Sequence, residues 1–411
     1  MSTADLCAGC RADCRVEAPA GPAAILVAPV LSREEMLRWL HKTDPDRLAE
    51  LWRLANAVRS ACVGDQVHLR GLIEISNHCV RQCGYCGLRA GNRDLVRYRM
   101  TADEIVGCAY DARVYGYGTV VLQAGEDYGL KTDWVSGLGR RSKAETGLAV
   151  TLSLGERGED ELREWKEAGA DRYLLRFETS DERLYEHIHP SLPGRVSDRL
   201  AMLRLLAELG YEVGSGVMVG VPGQTYASLV SDIELFRSLD LDMIGIGPYI
   251  AHPATPLGEV ALAPAGPAGC AAGAGAGTAD PPLRTAICAA DQAPNDELTV
   301  YKMLALTRLA CPRANIPSTT ALATINKESG RELGLQRGAN IVMPNLTPPK
   351  YRVLYEIYPD KACINETAEM CRGCLTGRIE SIGRHVGTGA GGRARGRATA
   401  GSTSLSGRTA G

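Results

Sequence analysis

The chain of 411 residues is 45% hydrophobic and 23% charged, with a formal net charge of −2, a composition that supplies a sizeable globular core. So even a balance offers no dominant basic face for a nucleic acid, and no run approaches the roughly 20 apolar residues that span a bilayer; a soluble, intracellular protein with no nucleic-acid or membrane partner is expected. Its 14 cysteines are unevenly spread along a long chain without a convincing secretory signal, a pattern of metal ligands rather than of a disulfide framework.

Residues 1–30 hold Cys7, Cys10 and Cys14 among Ala, Pro and Gly. No amphipathic period runs through this low-complexity segment and no strand precedes its thiols, which therefore read as incidental. From 31 to 258 the chain alternates. Strands are expected over 71–75, 119–123, 148–152, 172–176, 213–219 and 242–246, with helices over 101–116, 197–210 and 226–238 between them. Residues 259–293, rich in Ala, Gly and Pro, cannot bury a regular apolar face and read as an insertion. The alternation resumes over 294–383, with a helix at 297–310 and strands at 316–323 and 339–343. The remainder, 384–411, reads as a disordered, mildly basic tail. Its stretch "GTGAGG", 387–392, spells a dinucleotide fingerprint but has no strand before it and no helix after it. Cys62, Cys108 and Cys311 fall in helical patterns and read as small buried hydrophobes. Eight short strands alternating with helices predict an α/β fold, a (β/α)8 barrel of the TIM type, with a doubly wound open sheet as the rival.

Catalytic groups in such barrels lie on loops that follow the strands' carboxyl ends. The loop after the first strand reads "SNHCVRQCGYCGLR", 76–89, and places Cys79, Cys83 and Cys86 in a C-x3-C-x2-C run. A structural zinc closes with four ligands, and no further Cys or His stands at a familiar distance to complete a ribbon. Three thiolates on a [4Fe–4S] cluster leave one iron open to an exogenous ligand. With the aromatic Tyr85 before the last cysteine, the run resembles the radical S-adenosylmethionine (SAM) superfamily. The resemblance implies that the open iron chelates SAM and that reduction yields a 5′-deoxyadenosyl radical. It also implies a cofactor-binding set. "QAGED", 123–127, carries Gly125 and Glu126, similar to the superfamily's element for the methionine amino group. "RFETS", 176–180, places Glu178 after the fourth strand, and Arg199 in "SDRL" resembles the arginine that pairs with the SAM carboxylate, a task suited to a guanidinium fork. Ser153, in "SLGE", joins this set, and with Glu156, Thr319 and Thr320 it offers polar anchors for an anionic substrate complex. By itself Arg199 would read as a surface ion pair on a helix.

Longer blocks, among them "YCGLRAGNRDLVRYRMTADEI", "WKEAGADRYLLRFET" and "GANIVMPNLTPPKYRVLYEIYP", resemble the HydE family of [FeFe]-hydrogenase maturases from about residue 34 to 376, broken by the insertion. Biotin synthase and methylornithine synthase share the barrel and the first motif but fit the later blocks less well; an enzyme of their type, acting on a small organic substrate, is the alternative. A cluster carrier without turnover is a further one. The HydE resemblance implies a role in building the diiron subcluster of the hydrogenase, with a HydG-derived iron–cysteine carbonyl cyanide complex as substrate. It further implies the scaffold HydF as recipient and a reductant such as ferredoxin or flavodoxin. An algal source would place the protein in the plastid stroma, any other in the cytoplasm. Tyr355 and Tyr358 correspond to tyrosines beside the substrate and are assigned to the catalytic set with the three cysteines; without the resemblance they read as a packed pair on a helix. Met218 and Met343 would face the same cavity. Phe177 stands where related sequences often carry His. Cys363, Cys371 and Cys374, a C-x7-C-x2-C run, match the family's variable auxiliary site, which fits a second [2Fe–2S] or [4Fe–4S] cluster, with empty thiols or a zinc site as the alternatives.

Overall fold

The computed structural model describes residues 30–262 and 291–393, so Cys7, Cys10, Cys14 and most of the expected insertion lie outside the described residues. Two helices, Arg33–His41 and Pro45–Val63, precede the sheet. Each starts at a side-chain cap: Ser32 accepts from the Glu35 amide in a capping box, and Asp44 accepts from the Arg47 amide with Pro45 in the first turn, arrangements that satisfy otherwise orphaned N–H groups.

Strands β1 (Gln66–Ser76), β2 (Thr119–Ala124), β3 (Ala149–Ser153), β4 (Arg172–Leu174), β5 (Glu212–Val219), β6 (Met243–Pro248) and β7 (Ile341–Val342) lie parallel in the order β6-β5-β4-β3-β2-β1-β7. Most are continuous apolar runs buried on both faces, as strands between a filled interior and a helical coat must be. Residues 315–317 close the ring. The Ile244 amide donates to Asn315 O at 3.0 Å, and the Asn340 amide donates to Ile316 O at 2.8 Å. This closure selects the barrel over the open sheet.

The strand expected over 316–323 is corrected: Pro317 bridges β7, and the bridge to β6 is made by Asn315, just before the expected start. Thr319 then caps a helix, Thr320–Ile325, because its hydroxyl gives the first amides a local acceptor that a sheet cannot use. The expected tail is corrected as well. His385–Val386, β8, pairs with Gln66 and Val67 at the start of β1, and residues 387–393 run beneath the barrel. There the carbonyls of Ala390 and Gly391 accept from Thr119, Arg172, Arg70 and Asn315. A Cβ on Gly118 would stand 1.7 Å from Gly389 O, so backbone meets backbone only because glycine occupies that position. "GTGAGG" is thus part of the barrel's floor.

Candidate active site

Every strand end that carries a predicted site residue opens on one rim. The loop after β1 leaves the sheet at Ser76 and is held by groups far along the chain. Asn77 Nδ2 donates to Val96 O and Leu354 O, both at 2.8 Å, and Arg97 Nη1 donates to Asn77 O at 2.6 Å. Amides inside the loop reach out too: Val80 to Glu126 O at 3.0 Å, Gly84 to Ile188 O at 2.8 Å and Gly87 to Ile357 O at 3.1 Å. The cysteines are therefore positioned by the folded body.

Cys83 is buried, and Cys79 and Cys86 are largely so. Burial pushes the Cys83 thiol up to about 12, with the Cys79 charge adding to it, and burial likewise raises Cys79 and Cys86. Three such thiols ionise together only with positive charge among them, which a bound metal centre supplies.

The loop after β2 comes against this one so closely that a Cβ on Gly125 would lie 2.2 Å from His78 O and 2.9 Å from Cys79 Cβ. Glu126 follows. Its Oε1 accepts from Arg81 Nε at 2.7 Å and Tyr128 OH at 2.8 Å, and its Oε2 accepts from the Glu156 amide at 3.1 Å. Arg81 also meets Glu156 at 2.8 Å, and Arg199 Nε donates to Glu156 Oε1 at 2.9 Å. Burial opposes ionisation of Glu156, but its partners outweigh it, the Arg199 guanidinium and the Ser197 hydroxyl among them, and hold the carboxyl well below the usual range. Arg81 Nη1 is buried with no partner within the protein, a donor left for a ligand in the cavity wall. Glu178 pairs with Arg176 Nε at 3.0 Å and takes φ 63°, a left-handed conformation that a non-glycine residue holds only when its surroundings impose it.

The cysteines, Arg81, Gly125, Glu126, Glu178 and Arg199 line a cavity of about 370 Å³, whereas Glu156, which holds the two arginines, is not among its lining residues. Of the predicted residues, Cys79, Cys83, Cys86, Tyr85, Gly125, Glu126, Ser153, Glu178, Arg199, Tyr355 and Tyr358 all reach it, as do Met218, Met343, Thr319 and Thr320. The neighbourhood of the tyrosines differs from the packed-helix reading. The helix Pro349–Arg352 ends before them, and Tyr355 OH accepts from Gln123 Nε2 at 3.2 Å. Phe177 is buried against Phe236, with centroids 5.4 Å apart, and is not among the lining residues.

The third cysteine run is only partly assembled. Cys363, at φ 61°, and Cys371 gather with Glu366 at one wall of a second cavity of about 380 Å³. Cys374, one helical turn beyond Cys371, lines that cavity but is exposed. Arg331, Lys361, Ala362, Cys363 and Cys371 belong to both cavities. Sequence reasoning missed Glu366, Arg81, His189 and the Glu74–Lys361 pair. Their only signal is charge at positions of no recognisable period.

The family model described as "Radical SAM superfamily" matches residues 73–236. The [FeFe] hydrogenase maturase subunit HydE of Thermotoga maritima is 43% identical over 364 residues, which cover 89% of this chain and 94% of that protein. The 3-methylornithine synthase of Methanosarcina acetivorans is 27% identical over 316 residues, 76% of this chain and 79% of its own length. Among solved structures, methylornithine synthase superposes with a TM-score of 0.69 at 23% identity, covering 87% of this chain and 94% of that one. The maturase HydG superposes with a TM-score of 0.60 at 20% identity, covering 76% and 64%. Both likenesses speak to the fold.

Proposed function

Because the chain belongs to the radical SAM superfamily, and within it to the HydE family of [FeFe]-hydrogenase maturases, we propose that it acts on a cysteine-bound iron carbonyl–cyanide complex during assembly of the diiron subcluster. It is a radical SAM enzyme with a role in hydrogenase maturation. The observation that carries the finer reading is one shared space: the three cysteines and the segment with Tyr355 and Tyr358 line the same cavity. A [4Fe–4S] cluster and SAM held here would supply 5′-deoxyadenosyl radical chemistry, which the protein would aim while excluding competing reactions.

Cys79, Cys83 and Cys86 would hold the cluster. Glu126 and Glu178 would accept from the amino and hydroxyl groups of SAM, and Tyr85, Gly125 and Ser153 would shape the pocket around it. Arg199 would contribute as a fixed charge. A guanidinium has five N–H donors; those of Arg199 serve Glu156, the Arg176 carbonyl and His189, which leaves two for a carboxylate. The unpartnered Arg81 Nη1 adds a donor beside the cysteines. Tyr355 and Tyr358 would bound the substrate's side of the cavity. Cys363 and Cys371, with Cys374 or the Glu366 carboxylate, would hold a second cluster. The iron complex would come from a HydG-type enzyme, the product would pass to a HydF-type scaffold, and a ferredoxin or flavodoxin would supply electrons. Among the described residues no helix is long and apolar enough to cross a membrane.

The test is anaerobic activation of an apo-[FeFe]-hydrogenase, with HydF and HydG supplied, by the unmodified protein and by Cys83→Ala. Hydrogen evolution with the unmodified protein alone supports the reading. Cleavage of SAM without hydrogenase activation would overturn the substrate assignment and favour an organic substrate.

A further inference from the structure

His189 lies in none of the motifs that carry the family resemblance, yet its ring sits between the cysteine loop and the SAM-side arginine. Nδ1 is 3.0 Å from Cys83 Sγ, and Nε2 is 2.9 Å from Arg199 Nη2. Three restraints hold it there. The His189 amide donates to Tyr185 O at 2.8 Å, at the end of the helix Glu182–Ile188. That helix end is tied to the cysteine loop by the Gly84 amide donating to Ile188 O at 2.8 Å. The ring lies beside Tyr185, with centroids 5.2 Å apart, and is 1% exposed.

The hydrogen bonds decide which nitrogen carries the proton. A guanidinium only donates, so Nε2 facing Arg199 must accept. The ring proton of the neutral imidazole is then on Nδ1, directed at Cys83. Glu156 Oε1, the other group near Nε2, is farther away at 3.5 Å and is already occupied by Arg199 Nε and Ser197.

We propose that His189 is a positioning and tuning residue of the cluster, donating an Nδ1–H···S bond to the Cys83 thiolate in a tautomer fixed by Arg199, so that the one-electron reduced cluster is favoured. The inference rests on the assignment of Cys79, Cys83 and Cys86 as cluster ligands. Reduction adds negative charge that is shared with the thiolates. A donor on one of those sulfurs stabilises the more negative state and raises the potential, one of the ways in which proteins set iron–sulfur potentials. The imidazole of His189 would thereby join the cluster to the Arg199–Glu156 pair of the SAM pocket, and would ease electron entry where SAM is bound.

The experiment is a redox titration of the anaerobically reconstituted protein, compared with His189→Ala and His189→Asn, each poised with dithionite and read by EPR. Pulsed EPR on the reduced unmodified protein grown with isotopically labelled histidine accompanies it. Asparagine places an amide N–H near the lost Nδ1–H. The expected results are a more negative midpoint in His189→Ala, recovery toward the unmodified value in His189→Asn, and a labelled-histidine coupling in the unmodified protein. An unchanged midpoint in His189→Ala, or no histidine coupling, would overturn the proposal. Should His189→Ala fail to retain a cluster, the coupling and the asparagine variant decide by the same criteria. A reconstituted unmodified protein with no [4Fe–4S] signal would instead overturn the ligand assignment, and this inference with it.

Discussion

Lys361 Nζ and Glu74 Oε1 meet at 2.6 Å in the cavity wall, with side chains 6% and 2% exposed. Glu74 also accepts from Asn345 Nδ2 at 2.9 Å, and Lys361 donates to Tyr355 O at 3.3 Å, so the pair ties β1 to the segment that carries the cavity tyrosines. Removing one partner leaves a buried charge uncompensated, at a cost of about 3–5 kcal/mol. Lys361→Met is therefore expected to lower the unfolding free energy by that order, and the double variant Lys361→Met/Glu74→Gln to recover most of it. Denaturant unfolding of the three proteins checks this. A single variant as stable as the parent would show that the pair is not buried in solution.

Glu156 accepts from Arg81 and Arg199 at once. Glu156→Gln removes the charge that orients both guanidinium groups while nearly preserving shape. The SAM dissociation constant should rise by about tenfold or more, equivalent to about 1.4 kcal/mol or more, while the visible absorbance of the reconstituted cluster is retained. Equilibrium binding to the loaded protein measures it. Unchanged affinity would remove Glu156 and its arginines from the SAM pocket.

The barrel was legible because buried parallel strands leave continuous apolar runs such as "TVVLQ" in the sequence, and the cysteine motif because its short spacing is local. What escaped is what tertiary contact supplies. Pro317 and Thr319 turn an apolar run into a bridge and a helix cap. The glycines of 387–392 look like low complexity because they were read without the backbone they rest on. Arg81 stands inside the motif but takes its meaning from Glu126 and Glu156. His189 and Lys361 reach their partners across 106 and 287 residues. Cys374 errs in the other direction, since a spacing of three along a helix puts it near Cys371 without burying it.

The floor of the barrel offers a truncation test. Arg70 and Arg172, both buried, donate to Gly391 O at 2.9 Å and Ala390 O at 3.1 Å, and the Gly387 amide donates to Val67 O at 2.9 Å. A chain ending at Arg384 loses these acceptors; Arg172 keeps Glu212 and Thr119, while Arg70 loses its carbonyl partner, and each lost partner costs about 1–3 kcal/mol, more for charged groups. The melting temperature of this chain should fall by several degrees or more below that of a chain ending at Arg393. Equal melting of both truncations would mean that the floor segment does not hold the barrel.

Asp232 gives the folded state a pH dependence that can be isolated. It is fully buried, its Oδ1 accepts from the Ser180 amide at 2.6 Å, and its Oδ2 has no partner within the protein. Burial pushes its carboxyl up to about 7; the bonds to Ser180 work against that rise, and the charges of Asp181 and Glu178 add to it. In the unfolded chain the same group titrates near 4. Between those values the native state binds the proton more tightly, so this contribution to stability is complete below about pH 4, declines as the pH rises toward 7, and levels off above it. Over that window the loss is on the order of a few kcal/mol. Asp232→Asn keeps a carbonyl acceptor for Ser180 and has no charge to bury, so its stability should decline less between about pH 5 and about pH 8 than that of the unmodified protein. Urea midpoints at the two pH values make the comparison. Parallel changes in both proteins would mean that Asp232 is already relaxed into solvent, or that the Ser180 bond alone compensates its charge.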